Sequence, residues 1–173
     1  MQTWKNYYLR RAKLEQHMTS GRASADYTCK TLRGHTVEQA GSFELLFDGW
    51  NSDILLEAHG SGTILIAQGK ELKLYSIAGT QIASFQDHKE HIAAMCVDSF
   101  RVVTASYDLS LRVFTWKKEQ NKDLSLESRY HLLGGSHMFS RGFTHVACDY
   151  ASIVASVAAK DGKDVLKAYS FNA

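Results

Sequence analysis

The chain has 173 residues, 20 Lys+Arg against 18 Asp+Glu for a formal net charge of +2, and 45% hydrophobic residues. These are values of an ordinary globular chain of one domain or two very small ones, and they exclude wholesale disorder. No apolar run approaches the roughly 18 residues of a membrane-spanning helix, the opening MQTWKNYYLRRAK has no apolar core for a secretory signal, and so small a charge argues for no nucleic-acid partner. Proline is absent where average usage would give about 8 or 9, and nothing in the sequence explains it.

Residues 3–18 read as a helix, because Trp4, Tyr7, Tyr8, Arg11, Leu14 and Met18 recur at three- and four-residue steps. Thr3 can cap its start and Gly21 can end it. The stripe of Trp4, Tyr8 and Leu14 has to pack on something, either this chain or another domain. TSGRASAD (19–26) reads as a loop, and YTCKTLRGHT gives a short strand into Gly34-His35. Residues 37–60 show neither a helical nor a strand period, although Phe43, Leu45, Leu46, Phe47 and Trp50 make them apolar.

From Thr63 the pattern is β. TILIAQ, ELKLYSI and QIASFQ form a meander with turns at Gly69-Lys70 and Ala78-Gly79-Thr80. HIAAMCVD, RVVTASYD, SLRVFTW and LESRYHLL follow, with KKEQNKDLS between Trp116 and Leu126 as an exposed charged loop. FTHVACDY, SIVASVAA and DVLKAYSF close the chain, with a hairpin turn at Lys160-Asp161-Gly162-Lys163. That is about ten strands in some 110 residues and almost no helix beyond residue 20.

The chemistry of enzymes is missing from this pattern. The cysteines Cys29, Cys96 and Cys148 form no C-x-x-C, and Cys96 and Cys148 sit in apolar runs that suit buried structural thiols in a reducing compartment. His88 and His91 stand three apart beside Asp87, but a loop or strand does not aim both rings at one ion, and His131, His137 and His145 are scattered. There is no G-x-S-x-G, phosphate-binding glycine loop or H-E-x-x-H. No catalytic, metal-binding or cofactor-binding residue is expected, no cofactor is called for, and a substrate-binding set cannot be named.

Three segments repeat one form, two strands around a tight polar turn, ending in a bulky aromatic. They are LIAQGKELKLYS, VVTASYDLSLRVFTW and IVASVAAKDGKDVLKAYSF, closing on Tyr75, Phe114 and Tyr169. A period near 40 with four strands per unit is the mark of propeller blades. Thr104-Ala105-Ser106-Tyr107-Asp108-Leu109-Ser110-Leu111-Arg112-Val113-Phe114 resembles the WD-repeat consensus S-G-S-x-D-x-T-V-R-L-W, and Gln86-Asp87-His88 stands where that family has Gly-His. WKNYYLRRAKLE, a polar linker and TLRGHT resemble the joint between the F-box and the first blade of F-box/WD-repeat proteins, and the C-terminal half is similar to their last blades. The resemblance covers residues 1–36 and about 61–173.

The resemblance implies a mostly β fold, a partial WD-repeat propeller of about two to three antiparallel four-stranded blades behind an N-terminal helix. Its organisation would be a linker helix and loop over 1–26, an irregular remnant of a first blade over 27–60, and WD blades over 61–173. It implies a hydrogen-bonded structural cluster of His88, Thr104, Ser106 and Asp108 capped by Phe114, which lacks the indole N–H of the usual Trp. It also implies a non-enzymatic substrate-recognition part of a Skp–cullin–F-box ubiquitin ligase in the cytoplasm, with the nucleus as a second compartment. No F-box is seen ahead of Trp4, so the chain reads as a truncated form. Its partners would be a substrate or other protein, with adaptor and cullin only where an F-box is present. A WD-repeat scaffold unrelated to ubiquitination is the alternative. Because so few blades cannot close a ring, Ile64, Leu65 and Leu74 at one end and Ile153, Val154 and Val165 at the other are expected to be exposed.

Overall fold

Eleven antiparallel strands make three sheets in a computed structural model that describes residues 42–44, 53–118, 124–134, 140–159 and 162–171. The chain divides into two units, Met1–Gln39 and Ala40–Ala173, and every described residue belongs to the second. The helix expected over 3–18, the strand into Gly34-His35 and Cys29 lie outside the described residues.

The first sheet runs β1 (Ile54–His59), β2 (Thr63–Gln68), β3 (Glu71–Ser76), β4 (Gln81–Phe85). The second runs β5 (Ile92–Val97), β6 (Arg101–Ser106), β7 (Ser110–Lys118), β8 (Leu124–Leu133). The third holds β9 (Ser140–Cys148), β10 (Ser152–Ala159) and β11 (Val165–Ser170), with β10 in the middle. Each is a meander in chain order, so every connection inside a sheet is a hairpin and needs only local contacts. Tyr75, Phe114 and Tyr169, the closing aromatics of the sequence repeat, all fall on the third strand of their sheets.

The second sheet is buried on both faces, and the alternation along its strands assigns each face. Val102 and Phe114 join Met95 and Leu126 in a core shared with Leu65, Leu72 and Leu74 of the first sheet. Val103, Ala105, Leu111 and Val113 point the other way, into a core shared with Phe143, Ile153 and Val157 of the third. A strand covered on both sides has no polar face to show, and β6 is buried at all six positions. Full burial of one such aliphatic side chain stabilises by about 1.5–3 kcal/mol.

Three expectations from the sequence are corrected. First, the stretch 37–60 is not irregular to its end, since Ile54–His59 is a strand paired in register with Thr63–Gln68. It forms the edge of its sheet and is mostly exposed, so no alternating burial marked it. Second, the charged loop after Trp116 is shorter than expected, because β7 runs to Lys118, β8 starts at Leu124, and Lys118 pairs with Leu124. Third, Leu65, Leu74 and Ile153 are fully buried instead of exposed, because they face the neighbouring sheet. The open faces do carry Val154, together with Leu56 and Leu166, which are 66% and 74% exposed, and Val165 is exposed although it pairs with Val157 on the covered side.

Candidate functional site

The loop from β4 to β5 leaves the first sheet at Phe85 and carries His88 over the second sheet. On β6, Thr104 and Ser106 share the face of Val102, so they look toward this loop. His88 Nε2 lies 2.8 Å from Thr104 Oγ1, and His88 Nδ1 lies 3.1 Å from Asp108 Oδ2. A carboxylate only accepts, so Nδ1 carries the proton and donates to Asp108, while Nε2 accepts from the Thr104 hydroxyl. Asp108 Oδ2 also accepts the Lys89 backbone N–H at 2.8 Å. Its Oδ1 accepts the Ser110 N–H at 2.9 Å and the Ser110 hydroxyl at 2.5 Å. One carboxylate therefore ties the inter-sheet loop to the turn between β6 and β7.

Burial holds the His88 imidazole below its usual pKa, against the opposing pull of the Asp108 charge. The ring is neutral at neutral pH, so the contact with Asp108 is a hydrogen bond rather than an ion pair. Burial pushes the Asp108 carboxyl up, but bonds from Ser110, the Lys89 N–H and His88 outweigh it, and the net shift is downward. The turn itself is held by Leu109, whose φ of 63° lies in the left-handed region that leucine rarely adopts. Its N–H donates to Ser106 carbonyl oxygen at 3.2 Å, and its buried side chain belongs to the core shared with the third sheet.

Of the five residues singled out in the sequence, the structure brings His88, Thr104 and Asp108 into direct contact. Ser106 stands beside them with other partners: its hydroxyl donates to Glu90 carbonyl oxygen at 2.9 Å and accepts the Asp108 N–H at 3.1 Å. Phe114 takes no part in the polar contacts and packs on Phe85 with ring centroids 5.3 Å apart.

A second constellation joins the second and third sheets. Asp98 and Asp149 open the turns before β6 and β10 in the same way. Asp98 Oδ1 accepts the N–H groups of Phe100 and Arg101 at 2.7 and 2.8 Å, and Asp149 Oδ1 accepts those of Ala151 and Ser152 at 2.9 and 2.7 Å. The Ser152 hydroxyl and these N–H groups hold the Asp149 carboxyl below the usual carboxylate range. Arg101 spans the two turns. Its Nε donates to Asp98 Oδ2 at 2.9 Å, and the same guanidinium donates to the carbonyls of Asp149 and Tyr150. The guanidinium lies over the Phe171 ring, 5.0 Å from its centroid, a cation–π geometry.

Above this pin opens a groove of about 340 Å³ lined by Phe100, Arg101, Val113, Thr115, Tyr130, Tyr150, Ala151 and Phe171. Phe100 meets Tyr150 edge-on at 5.7 Å, and Tyr130 meets Phe171 at 5.7 Å. Phe100, Tyr130 and Tyr150 are 51%, 52% and 83% exposed. Aromatic side chains this open, beside an arginine, are the residue types that dominate protein-binding surfaces.

Human F-box/WD repeat-containing protein 12 is 32% identical to this chain over an alignment of 152 residues that covers 85% of the chain and 32% of that protein. The chain thus spans about a third of the relative's length. This similarity is distant support for a WD-repeat relationship. No protein-family model matches the chain. Among solved structures it is similar to the computationally designed Ika4 protein (19% identity, TM-score 0.49, 72% of this chain and 70% of that one). It is also similar to the designed Ika8 protein (19% identity, TM-score 0.47, 69% and 34%).

Sequence reasoning missed Ser110, although the signal was present, since Asp-x-Ser puts a hydroxyl two residues beyond the carboxylate where it can close a local ring. It also missed Arg101 and Asp98. Their turn, Asp98-Ser99-Phe100-Arg101, has a partner in Asp149-Tyr150-Ala151-Ser152, and comparing the two would have exposed the repeated aspartate. Among the described residues, no group of three or more His, Cys, Asp or Glu is placed to hold a metal ion.

Proposed function

We propose that the chain is a non-enzymatic protein-interaction module whose three sheets are successive blades of a WD-repeat propeller, and that it corresponds to the substrate-recognition part of a Skp–cullin–F-box ubiquitin ligase, with adaptor and cullin as partners only where an F-box is present. The observation that carries this reading is the face-to-face succession of chain-order meanders, with a His–Asp–Thr–Ser lock at the second sheet's turn. The similarity to an F-box/WD repeat-containing protein supports it. A stack of rigid sheets positions loop residues without moving, so its use is recognition. The groove of Phe100, Tyr130 and Tyr150 is the surface that would meet a protein client.

The test fuses an F-box ahead of Met1 and compares the fusion with the chain itself. Both forms are expected to capture the same client proteins, and only the fusion, together with adaptor and cullin, is expected to transfer ubiquitin to them. Replacing Phe100 and Tyr150 together by Ala should release the clients from both forms. A fusion that recruits adaptor and cullin yet modifies none of the captured proteins would replace this reading with a general WD-repeat scaffold.

A further inference from the structure

Cys96 on β5 and Cys148 on β9 place their Sγ atoms 2.8 Å apart across the boundary between the second and third sheets. Both are free thiols and both are only half-buried. The separation exceeds the roughly 2.05 Å of a disulfide, so no bond joins them, but a movement of under an ångström on each side closes the gap. The register fixes each thiol from behind: Cys96 pairs with Val103 and Cys148 with Ile153, and both partners are fully buried. The Arg101 pin and the Asp98 turn flank the pair, and Cys148 Sγ lies 3.7 Å from Asp98 Oδ2.

We propose that Cys96 and Cys148 are an oxidation site, at which a hydroperoxide converts the two thiols into a disulfide that covalently joins the second and third sheets. In the first step the Cys96 thiolate attacks one oxygen of hydrogen peroxide. The S–O bond forms, the O–O bond breaks, and hydroxide leaves and takes up a proton as water. In the second step the Cys148 sulfur, giving up its proton, attacks Cys96 Sγ. The S–S bond forms, the S–O bond breaks, and the departing hydroxide collects that proton as a second water. Two thiols and one peroxide become one disulfide and two waters, the sulfurs losing two electrons to the peroxide oxygens.

The assignment of attacking and resolving sulfur follows from the shared hydrogen bond. That bond, in which either sulfur can be the donor, draws the Cys96 thiol down to about 7. The same bond, together with burial, pushes Cys148 up. Asp98 and Glu57 oppose the Cys96 thiolate, and the Arg101 guanidinium eases the charge at Cys148. A thiol poised near neutral pH is the better attacking group.

The consequence reaches the groove. Phe100 lies in the turn after β5 and Tyr150 in the turn after β9, so a bond between Cys96 and Cys148 fixes the two turns that carry these rings. It also closes a loop of 52 residues, which constrains the unfolded chain.

The purified chain, reduced and then treated with a small molar excess of hydrogen peroxide, tests this by peptide mass mapping without reductant. The expected product is a Cys96–Cys148 cross-linked peptide two hydrogens lighter than its parts, restored by dithiothreitol. Its rate of formation should rise through pH 7, and the oxidised chain should melt about 5–15 °C higher. Cys29→Ser should form the bond unchanged, and Cys96→Ser and Cys148→Ser should not. Sulfinic acid on either thiol without the cross-link, pairing through Cys29, or two thiols that remain separately alkylatable would overturn the proposal. Because the mapping uses the unaltered chain, these outcomes stand even if a serine variant fails to fold.

Discussion

The second and third sheets are built from the same repeated sequence form, yet they differ in what their strands must satisfy. β6 lies between two other sheets and is buried at every position. β10 alternates, with Ile153, Ala155 and Val157 buried toward the second sheet and Val154 open on the other side. The polar residues differ accordingly. Thr104 and Ser106 on β6 are fully buried and hydrogen-bonded, whereas Ser156 on β10 meets Thr144 at 2.7 Å at a part-buried position. A buried hydroxyl must have a partner, so the middle sheet needs the His88 lock. The terminal sheet, with water on one face, tolerates a looser arrangement.

The largest expected effect tests whether the interface between these two sheets holds the third in place. Phe143 is fully buried in their shared core, and Phe143→Ala is expected to destabilise by about 3–5 kcal/mol. Leu166→Ala, on the open side of the third sheet at 74% exposure, should stay within about 0.5 kcal/mol. Denaturant melts of the two variants measure the contrast. Equal effects would mean that the open side is covered in solution.

Gly142 sharpens the comparison at one point. It sits on β9 with φ of 107°, and a Cβ there would fall on the Tyr107 backbone of the β6–β7 turn. Gly142→Ala meets both the backbone conformation and the neighbouring turn, and should cost about 2–4 kcal/mol. A thermal melt unchanged by this substitution would show that β9 and the turn do not approach as described.

Next in size comes the lock itself. Asp108→Ala leaves the Lys89 and Ser110 N–H groups and His88 Nδ1–H without their acceptor, and is expected to cost about 1–3 kcal/mol. Asp108→Asn, which keeps an acceptor oxygen, should recover part of that. A neutral Asp108→Ala would mean that water replaces the carboxylate at little cost.

The legible and illegible parts of the sequence divide along the same lines. β2 to β11 could be read because alternation or β-branched runs mark strands with a face turned to the core. The turn carrying Asp108 could be read because its residue types are those of a hydrogen-bonded corner. β1 could not be read, since an edge strand that is mostly exposed leaves no periodic trace. Which side of β2, β3 and β10 meets a neighbour was also illegible: alternation says that two faces differ, not which one is covered, and Leu65, Leu74 and Ile153 were assigned to the wrong side. The Cys96–Cys148 approach joins residues 52 positions apart on different sheets, and no local pattern encodes it.

The smallest expected effect concerns acidity and separates the two halves of the lock. His88 has its pKa held below the unfolded value of 6.5 by burial, so the unfolded chain binds more protons than the folded one as pH falls from 6.5. Unfolding free energy then rises with pH in that window, and its contribution is intact above 6.5 and lost below it. Asp108, held below 3.8, adds a separate loss at lower pH, intact above 3.8 and removed as pH falls through its folded value. His59 is also held low by burial and pulls in the same direction as His88, so the measurement needs His59→Gln as its background. On that background, denaturant midpoints taken from pH 8 to pH 3 should fall below 6.5, and adding His88→Gln should flatten the fall between 6.5 and 5 while leaving the loss below pH 4 partly in place. A slope that survives His88→Gln would assign the titration to another group, and a midpoint that rises as pH falls would mean that the imidazole enters the fold charged, with the Asp108 contact an ion pair after all.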